Sequence, residues 1–334
     1  MMIDPILIVS LASFLLSLIA CLILLPPYIK KAKQVGITGL DIHKPGSPVI
    51  AECGGVILIL AYLIGLFFFI PFINEAFINE PLNVEIIGTA ATVLLASFIG
   101  FIDDIYETRW RIKVLTPLLG GVPLVVMRLG RTAIQTPFGL LDFESLGLFG
   151  LVFFFGLLLP IAVTASANAV NMFAGLNGQE AGGSLIMALA MLYLTVQAQK
   201  TIGYIILVPF IGALLAFLFF NRYPSRVFPG DIGTFGMGTV IACVAILADL
   251  ERAAIIMFIP YTVNAILFFI GKLKREAPPR EAQMNPDGTL PAPSIWSLRS
   301  VLLRIHPMKE KTIVYIILLI VAAFSVAGML SYGT

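Results

Sequence analysis

The chain has 334 residues, 59% of them hydrophobic and only 12% charged, against about 25% charged in a soluble domain. Its mean hydropathy of +1.00 excludes a soluble globular protein and predicts an all-α, polytopic integral membrane bundle. A formal net charge of +2 leaves no electrostatic footprint for nucleic acid. The three scattered cysteines and the two histidines, His43 and His306, form neither a disulfide framework nor a His/Cys metal spacing.

A membrane helix needs about 20 mostly apolar residues. In chain order the sequence offers ten such stretches, near 5–27, 54–72, 84–102, 113–128, 149–168, 183–199, 202–220, 233–249, 252–271 and 312–332. No Lys or Arg precedes the first and no small-residue cleavage site stands out, so it reads as a retained helix rather than a signal peptide. Pro117, Pro123, Pro160, Pro209 and Pro260 fall inside spans, where neighbouring helices or water can satisfy the freed backbone groups. The connections at 73–83 and 129–148 read as bland, whereas 272–311 is long, basic and Pro-rich. The whole of 1–334 reads as one membrane domain with an extended loop at 272–311.

Numbered in order, the odd connections hold 17 of the 21 Lys and Arg residues. The positive-inside rule then puts the odd loops in the cytoplasm and both termini outside. No internal repeat is evident, which argues against a transporter built from inverted repeats.

The other polar groups collect in the same odd loops. The third carries FIGFIDDIYETRWRIK, in which Asp103 and Asp104 close an apolar run and Glu107, Arg109, Trp110, Arg111 and Lys113 follow. An Asp at the centre of a membrane helix costs about 2.5–3.5 kcal/mol, but at a cytoplasmic helix end water reaches it and most of that cost disappears. The fifth loop, NAVNMFAGLNGQEAGG, sets Asn168, Asn171, Asn177, Gln179 and Glu180 among glycines. Amides both donate and accept, which suits base and sugar edges, and glycines permit close approach of a ligand to the backbone. The seventh loop, NRYPSRVFPGDIGTFGMG, puts Asp231 between Gly230 and Gly233 at a helix start. An Asp there is either a cap or a metal ligand beside a phosphate. Carboxylates and amides without Cys or His suit Mg²⁺ or Mn²⁺ rather than Zn²⁺. With the basic loops, this reads as a divalent-metal phosphate site.

Three long motifs, GFIDDIYETRWRIK, NAVNMFAGLNGQEAG and YPSRVFPGD, stand in the order in which they occur in a known family. The chain resembles the polyprenyl-phosphate N-acetylhexosamine-1-phosphate transferases, glycosyltransferase family 4, over nearly its whole length. It looks most like their eukaryotic and archaeal dolichyl-phosphate branch. The resemblance implies transfer of GlcNAc 1-phosphate from UDP-GlcNAc to a polyprenyl or dolichyl phosphate at the cytoplasmic face. It implies Asn171 and Asp231 as ligands of Mg²⁺, Asn177 and Phe228 at the uracil, and Lys113 at phosphate. Asp103 and Asp104 would lie where the lipid phosphate arrives, with Glu52 and Trp110 lining the same cleft. Asn168 and Glu180 fall in the same substrate loop. Arg280, chosen among Lys274, Arg275 and Arg280, would grip the sugar and diphosphate. Glu107 departs from the family pattern, which more often has Asp or Asn there. The bacterial relatives that use UDP-MurNAc-pentapeptide carry three histidines in the ninth loop, and this loop has none before His306. The membrane would be the cell membrane or the endoplasmic reticulum, and pairing as a homodimer stays open.

Plainer readings exist for each group. Asp103 and Asp104 could end a solvated helix beside Arg109 and Arg111. Asp231, Asn171 and Asn177 could be caps or turn residues, Trp110 an interfacial anchor, and Phe228 a packing aromatic. As whole-protein alternatives, an intramembrane aspartyl protease would need its two Asp on different helices within the membrane, and a transporter would line its path with polar groups near the midplane. Neither suits charges gathered on one face.

Overall fold

The computed structural model describes residues 5–72, 82–106, 109–274, 284–292 and 294–332, with residues 5, 110 and 111 described by backbone alone. Glu107 and Arg280 lie outside these residues, as does the side chain of Trp110.

Helix α1 runs Pro5–Val35 and carries Pro26 and Pro27 inside it. A short antiparallel hairpin follows, β1 Thr38–Leu40 and β2 Val49–Ala51, in the register Thr38↔Ala51. Helix α2 is Gly55–Phe68 and α3 is Leu82–Tyr106. Next come α4 Trp110–Leu115, a 3-10 stretch Thr116–Gly121 and α5 Val122–Val126. A second hairpin pairs β3 Ala133–Thr136 with β4 Gly139–Asp142. Helix α6, Gly147–Phe153, continues through one π-turn, Phe154–Leu158, into α7 Leu159–Phe173. Then follow α8 Gln179–Gln197, α9 Thr201–Asn221 and α10 Gly230–Leu247. The chain closes with α11 Glu251–Met257, α12 Ile259–Leu273, α13 Leu298–Ile305 and α14 Glu310–Leu330.

Each of the ten expected spans meets helix, but two of them differ in kind. Among the described residues eight helices are long and apolar enough to cross a membrane. The expected ninth is the pair α11 and α12, bent by 54° where Pro260 opens the second helix. The expected fourth is the short segment Ile112–Val126. Its ladder tightens to 3-10 around Pro117, Gly120 and Gly121, since Pro removes a donor and Gly is a poor helix former. These helices make the chain an integral membrane protein. The connection at 129–148 is not bland, because it holds the β3–β4 hairpin. The loop at 272–311 contains α13, capped by Ser297, whose Oγ accepts from the Ser300 N–H at 3.1 Å.

Helix α10 is the axis of the bundle. Within its apolar window 89% of residues are buried, against 28% for α1. It packs on α3, α7 and α2. A Cβ on Gly100 of α3 would lie 2.5 Å from the Asp231 carbonyl oxygen. Only glycine lets the two backbones meet there, and this contact fixes the start of α10 against the end of α3. On the opposite end of the bundle Asp249 pairs with Lys200 and, at 3.3 Å, with Arg131. Arg131 and Lys200, both even-loop cations, are therefore matched there.

Candidate active site

Four helix ends converge on a small set of charges. Asp103, only 7% exposed, ends α3 and lies 2.6 Å from the Lys113 Nζ of α4. The same ammonium pairs with Asp231 Oδ2 in the first turn of α10. Asn171, near the end of α7, donates its amide to Asp231 Oδ1 at 2.5 Å and to Thr234 Oγ1 at 2.8 Å. One lysine thus bridges two carboxylates from distant parts of the chain.

Asp104 is turned to a different task. Its Oδ1 accepts the Asp231 N–H at 2.7 Å and its Oδ2 the Ile232 N–H at 3.1 Å. These are orphan donors of the first turn of α10, which need an external acceptor. The Cys53 thiol is a further donor to Asp104. Burial and the Asp104 charge push the Cys53 thiol well up, so it stays protonated. Gly230 has φ of +67°, and a Cβ there would lie 2.6 Å from Asp104 Oδ2. The carboxylate reaches the helix start because that position is glycine. The cap of α10 is therefore a side chain from another helix, not Asp231 itself.

Asn168 is buried and donates to the Val114 carbonyl at 3.1 Å and the Thr164 carbonyl at 3.0 Å. It ties the residue after Lys113 to α7 and so helps to set where that lysine stands. Phe228 is half-buried. Its N–H donates to Ala51 O at 2.8 Å and its carbonyl accepts from Gly54 N at 2.9 Å. Glu52, in the same crossing, is fixed by its backbone: its N–H donates to Ile37 O and its carbonyl accepts from Tyr28 Oη at 2.7 Å. Residues 51–54 and 227–229 thus form one seam beside Asp231.

Asn177 and Glu180 fall elsewhere. Asn177 is 5% exposed. Its Oδ1 accepts the Ser225 N–H at 2.7 Å, its Nδ2 donates to Asp41 at 3.2 Å, and its N–H donates to Glu310 Oε1 at 2.9 Å. Lys44 lies between Asp41, at 3.2 Å, and Glu310. This second buried cluster joins the first, fifth, seventh and ninth loops. At its edge Arg299 Nη1 donates to His43 Nε2 at 3.2 Å. An arginine can only donate, so the neutral ring carries its proton on Nδ1. Burial, then the Arg299 charge, pushes the His43 pKa down to about 4. Glu180 is buried in α8, and its Oε2 has no hydrogen-bond partner among the described residues.

Cys53, Thr234, Lys44, Glu310 and Ser225 also build the two clusters, and nothing in the sequence marks them as site residues. Thr234, three residues after Asp231, comes closest, because that spacing shares a helix face. For Lys44 and Glu310, 266 residues apart, sequence carries no pairing signal.

The first cluster can be tested against a divalent cation. Its donors are carboxylate and amide oxygens, the hard set that Mg²⁺ or Mn²⁺ prefers. Two of the carboxylates already hold a positive charge, the Lys113 ammonium, between them. Asn171 turns its amide nitrogen to Asp231, and a half-turn of that group presents its oxygen. Among the described residues no group of three or more His, Cys, Asp or Glu could hold a metal ion. Asp231 and Asn171 alone would supply two ligands, a protein share that Mg²⁺ accepts when phosphate oxygens and water complete the shell. The donor set fits.

Comparison with known proteins bears on what this site belongs to. The profile of glycosyl transferase family 4 matches residues 86–249, which include Asp103, Asp104, Lys113, Asn171 and Asp231. A protein of Saccharolobus solfataricus is 33% identical over 243 residues, covering 72% of this chain and 71% of its own. The chain belongs to glycosyl transferase family 4. That relative is provisionally named a UDP-N-acetylglucosamine–dolichyl-phosphate N-acetylglucosaminephosphotransferase. A Sulfolobus acidocaldarius protein under the same provisional name is 32% identical and covers 70% of each chain. The Dictyostelium discoideum UDP-N-acetylglucosamine–dolichyl-phosphate N-acetylglucosaminephosphotransferase is 28% identical over 344 residues, covering 91% of this chain and 84% of its own. This family 4 member therefore resembles its archaeal and eukaryotic dolichyl-phosphate branch along most of its length.

Proposed function

We propose that this family 4 transferase moves GlcNAc 1-phosphate from UDP-GlcNAc to a polyprenyl or dolichyl phosphate at the cytoplasmic membrane face. The products are lipid-diphosphate-GlcNAc and UMP, the first step of lipid-linked oligosaccharide assembly. The observation that carries this reading is the meeting of Asp103, Lys113, Asn171 and Asp231 at one end of the bundle. Phosphoryl transfer asks a protein for positioning and charge neutralisation rather than covalent work. The names of the relatives support the two substrates, and the Lys and Arg asymmetry supports the cytoplasmic face.

An oxygen of the acceptor phosphate bonds to the β-phosphorus. The bond from that phosphorus to the bridging oxygen breaks, and UMP leaves with the electron pair. Lys113 draws in the acceptor phosphate, and Asp103 beside it takes up its remaining proton. Asp104 keeps the first turn of α10, and with it Asp231, in place. Asp231 and Asn171 would hold Mg²⁺ or Mn²⁺, which would supply charge neutralisation for the diphosphate. Phe228 lines the sugar-nucleotide side, with Arg280 assigned there by resemblance, and Glu52 and, by resemblance, Trp110 line the same cleft. Asn177 serves that side through the loop it holds, since its amide is committed to Ser225 and Asp41. The membrane is the cell membrane, or the endoplasmic reticulum in a cell that has one. Nothing in this reaction requires a second copy of the chain.

The reading is tested by incubating purified protein with labelled UDP-GlcNAc, a polyprenyl phosphate and Mg²⁺. Label should become lipid-soluble with matching UMP release, and EDTA should stop both until Mg²⁺ or Mn²⁺ is restored. The same assay over a panel of UDP-N-acetylhexosamines separates GlcNAc from other sugars. Absence of product with every sugar and several acceptors would sink it.

A further inference from the structure

A groove of about 570 Å³ between α9 and α14 lies apart from the cluster of Asp103, Lys113, Asn171 and Asp231, although the buried Asn177 is among its lining residues. Leu218 and Phe219 of α9 form one wall, and Val314 and Tyr315 of α14 the other. Arg222, Arg226 and Lys311 stand at its mouth. Helix α9 ends at Asn221 and α14 begins at Glu310, so the three cations share one level and both walls run from it into the bilayer. One turn deeper, Leu215 and Leu319 extend the ridges of Phe219 and Tyr315, and all four are exposed.

The charges at the mouth are unmatched. No carboxylate lines the groove, and among the described residues none of the three cations pairs with one. Arg222 and Arg226 instead lie over the Phe219 ring, at 5.3 and 5.1 Å, and Lys311 lies 5.9 Å from the Tyr315 ring. The aromatic faces hold these side chains in place without cancelling their charge. Basic pockets between membrane helices on the cytoplasmic side are suited to anionic lipid headgroups.

We propose that this groove binds an anionic phospholipid, its phosphate among Arg222, Arg226 and Lys311 and its acyl chains along the α9 and α14 ridges. The occupant is not the acceptor lipid, whose phosphate must reach Lys113 and Asp231. Neither residue, and no part of α3, α4, α7 or α10, lines the groove.

The test uses the full chain, delipidated in non-ionic detergent, with lipid binding read by native mass spectrometry. Dioleoylphosphatidylglycerol should bind at least about tenfold more tightly than dioleoylphosphatidylcholine, since each basic residue near an anionic headgroup contributes about fivefold. The triple change Arg222→Gln, Arg226→Gln and Lys311→Gln should bring the two lipids to parity, and Arg226→Gln alone should cost about fivefold. The charge-matched change Lys30→Gln, Lys31→Gln and Lys33→Gln, at the end of α1, should leave the preference intact. Equal binding of both lipids by the wild type would overturn the proposal, as would equal losses in the two triple variants. Displacement of bound phosphatidylglycerol by polyprenyl phosphate would overturn it too, by giving the groove to the acceptor.

Discussion

Asp104 accepts the backbone N–H of Asp231 at 2.7 Å, so the carboxylate that ends one helix fixes the start of another. Asp231 is held by its main chain and leaves its side chain to Lys113 and Asn171. Adjacent in sequence, Asp103 and Asp104 divide the work. The first meets the lysine, and the second builds the platform on which Asp231 stands.

Asp231→Asn should lower transfer by at least about 100-fold, the scale on which removal of one preorganised electrostatic group acts. Its melting temperature should stay close to that of the wild type, because Asp104 binds a backbone N–H that the substitution keeps. The labelled transfer assay with a parallel thermal melt checks both, and full activity would remove Asp231 from the reaction.

Asp104→Ala should behave in the opposite way on stability. It orphans two leading N–H groups of α10, where loss of a cap costs about 1 kcal/mol and each buried unpaired donor about 1–3 kcal/mol. Asp104→Asn should recover part of this, since an amide oxygen still accepts. Melting temperatures in the order wild type, Asn, Ala are expected, and equal values for wild type and Ala would contradict the capping role.

The motifs were readable as three separate stretches, and their helical settings followed from hydropathy. That they gather on one face was readable from the charge asymmetry, but which side chains touch was not. The family resemblance implies Asp103, Asp104 and Lys113 with the acceptor and Asp231 with the metal. Yet Lys113 and Asp231 share an ion pair across 118 residues. Long-range pairing of this kind is set by helix packing, here by the close approach at Gly100, and local periodicity does not encode it. The second buried cluster is unmarked for the same reason: in the sequence Lys44 is one of the 17 cations of the odd connections. The tightened turn in the fourth span was foreshadowed by Pro117 and Pro123, but its shortness was not.

Lys44→Met should destabilise by about 3–5 kcal/mol, the cost of breaking a buried ion pair on one side. Asp41 and Glu310 would face each other without their common cation. Adding Glu310→Gln should restore part of the loss, so the two changes are expected to be non-additive by at least about 1 kcal/mol. Thermal unfolding of the four proteins of this cycle provides the check, and simple additivity would show that the two residues act independently.

Protonation of His43 should weaken the same region. Its folded pKa, about 4, lies below the unfolded value near 6.5, so the unfolded chain takes up the proton first. The contribution is complete above about pH 6.5 and declines as pH falls from there towards 4. Replacing His43 by Gln should flatten the melting-temperature profile between pH 6.5 and 4 while leaving the profile above pH 7 parallel to that of the wild type. An unchanged acid limb would exclude His43 as its source.

The short segment Ile112–Val126 spans roughly 22–26 Å at helical and 3-10 rises, several ångströms less than the ~30 Å hydrocarbon layer. A segment that short is accommodated by local thinning of the bilayer, by snorkelling of flanking residues or by oligomerisation. Lys113 stands at one end of that segment, where thinning would bring the polar surface of the membrane towards the lysine. A lipid phosphate would then meet the charged cluster with its long tail still in hydrocarbon, and the proposed transfer would not require lifting the acceptor out of the membrane.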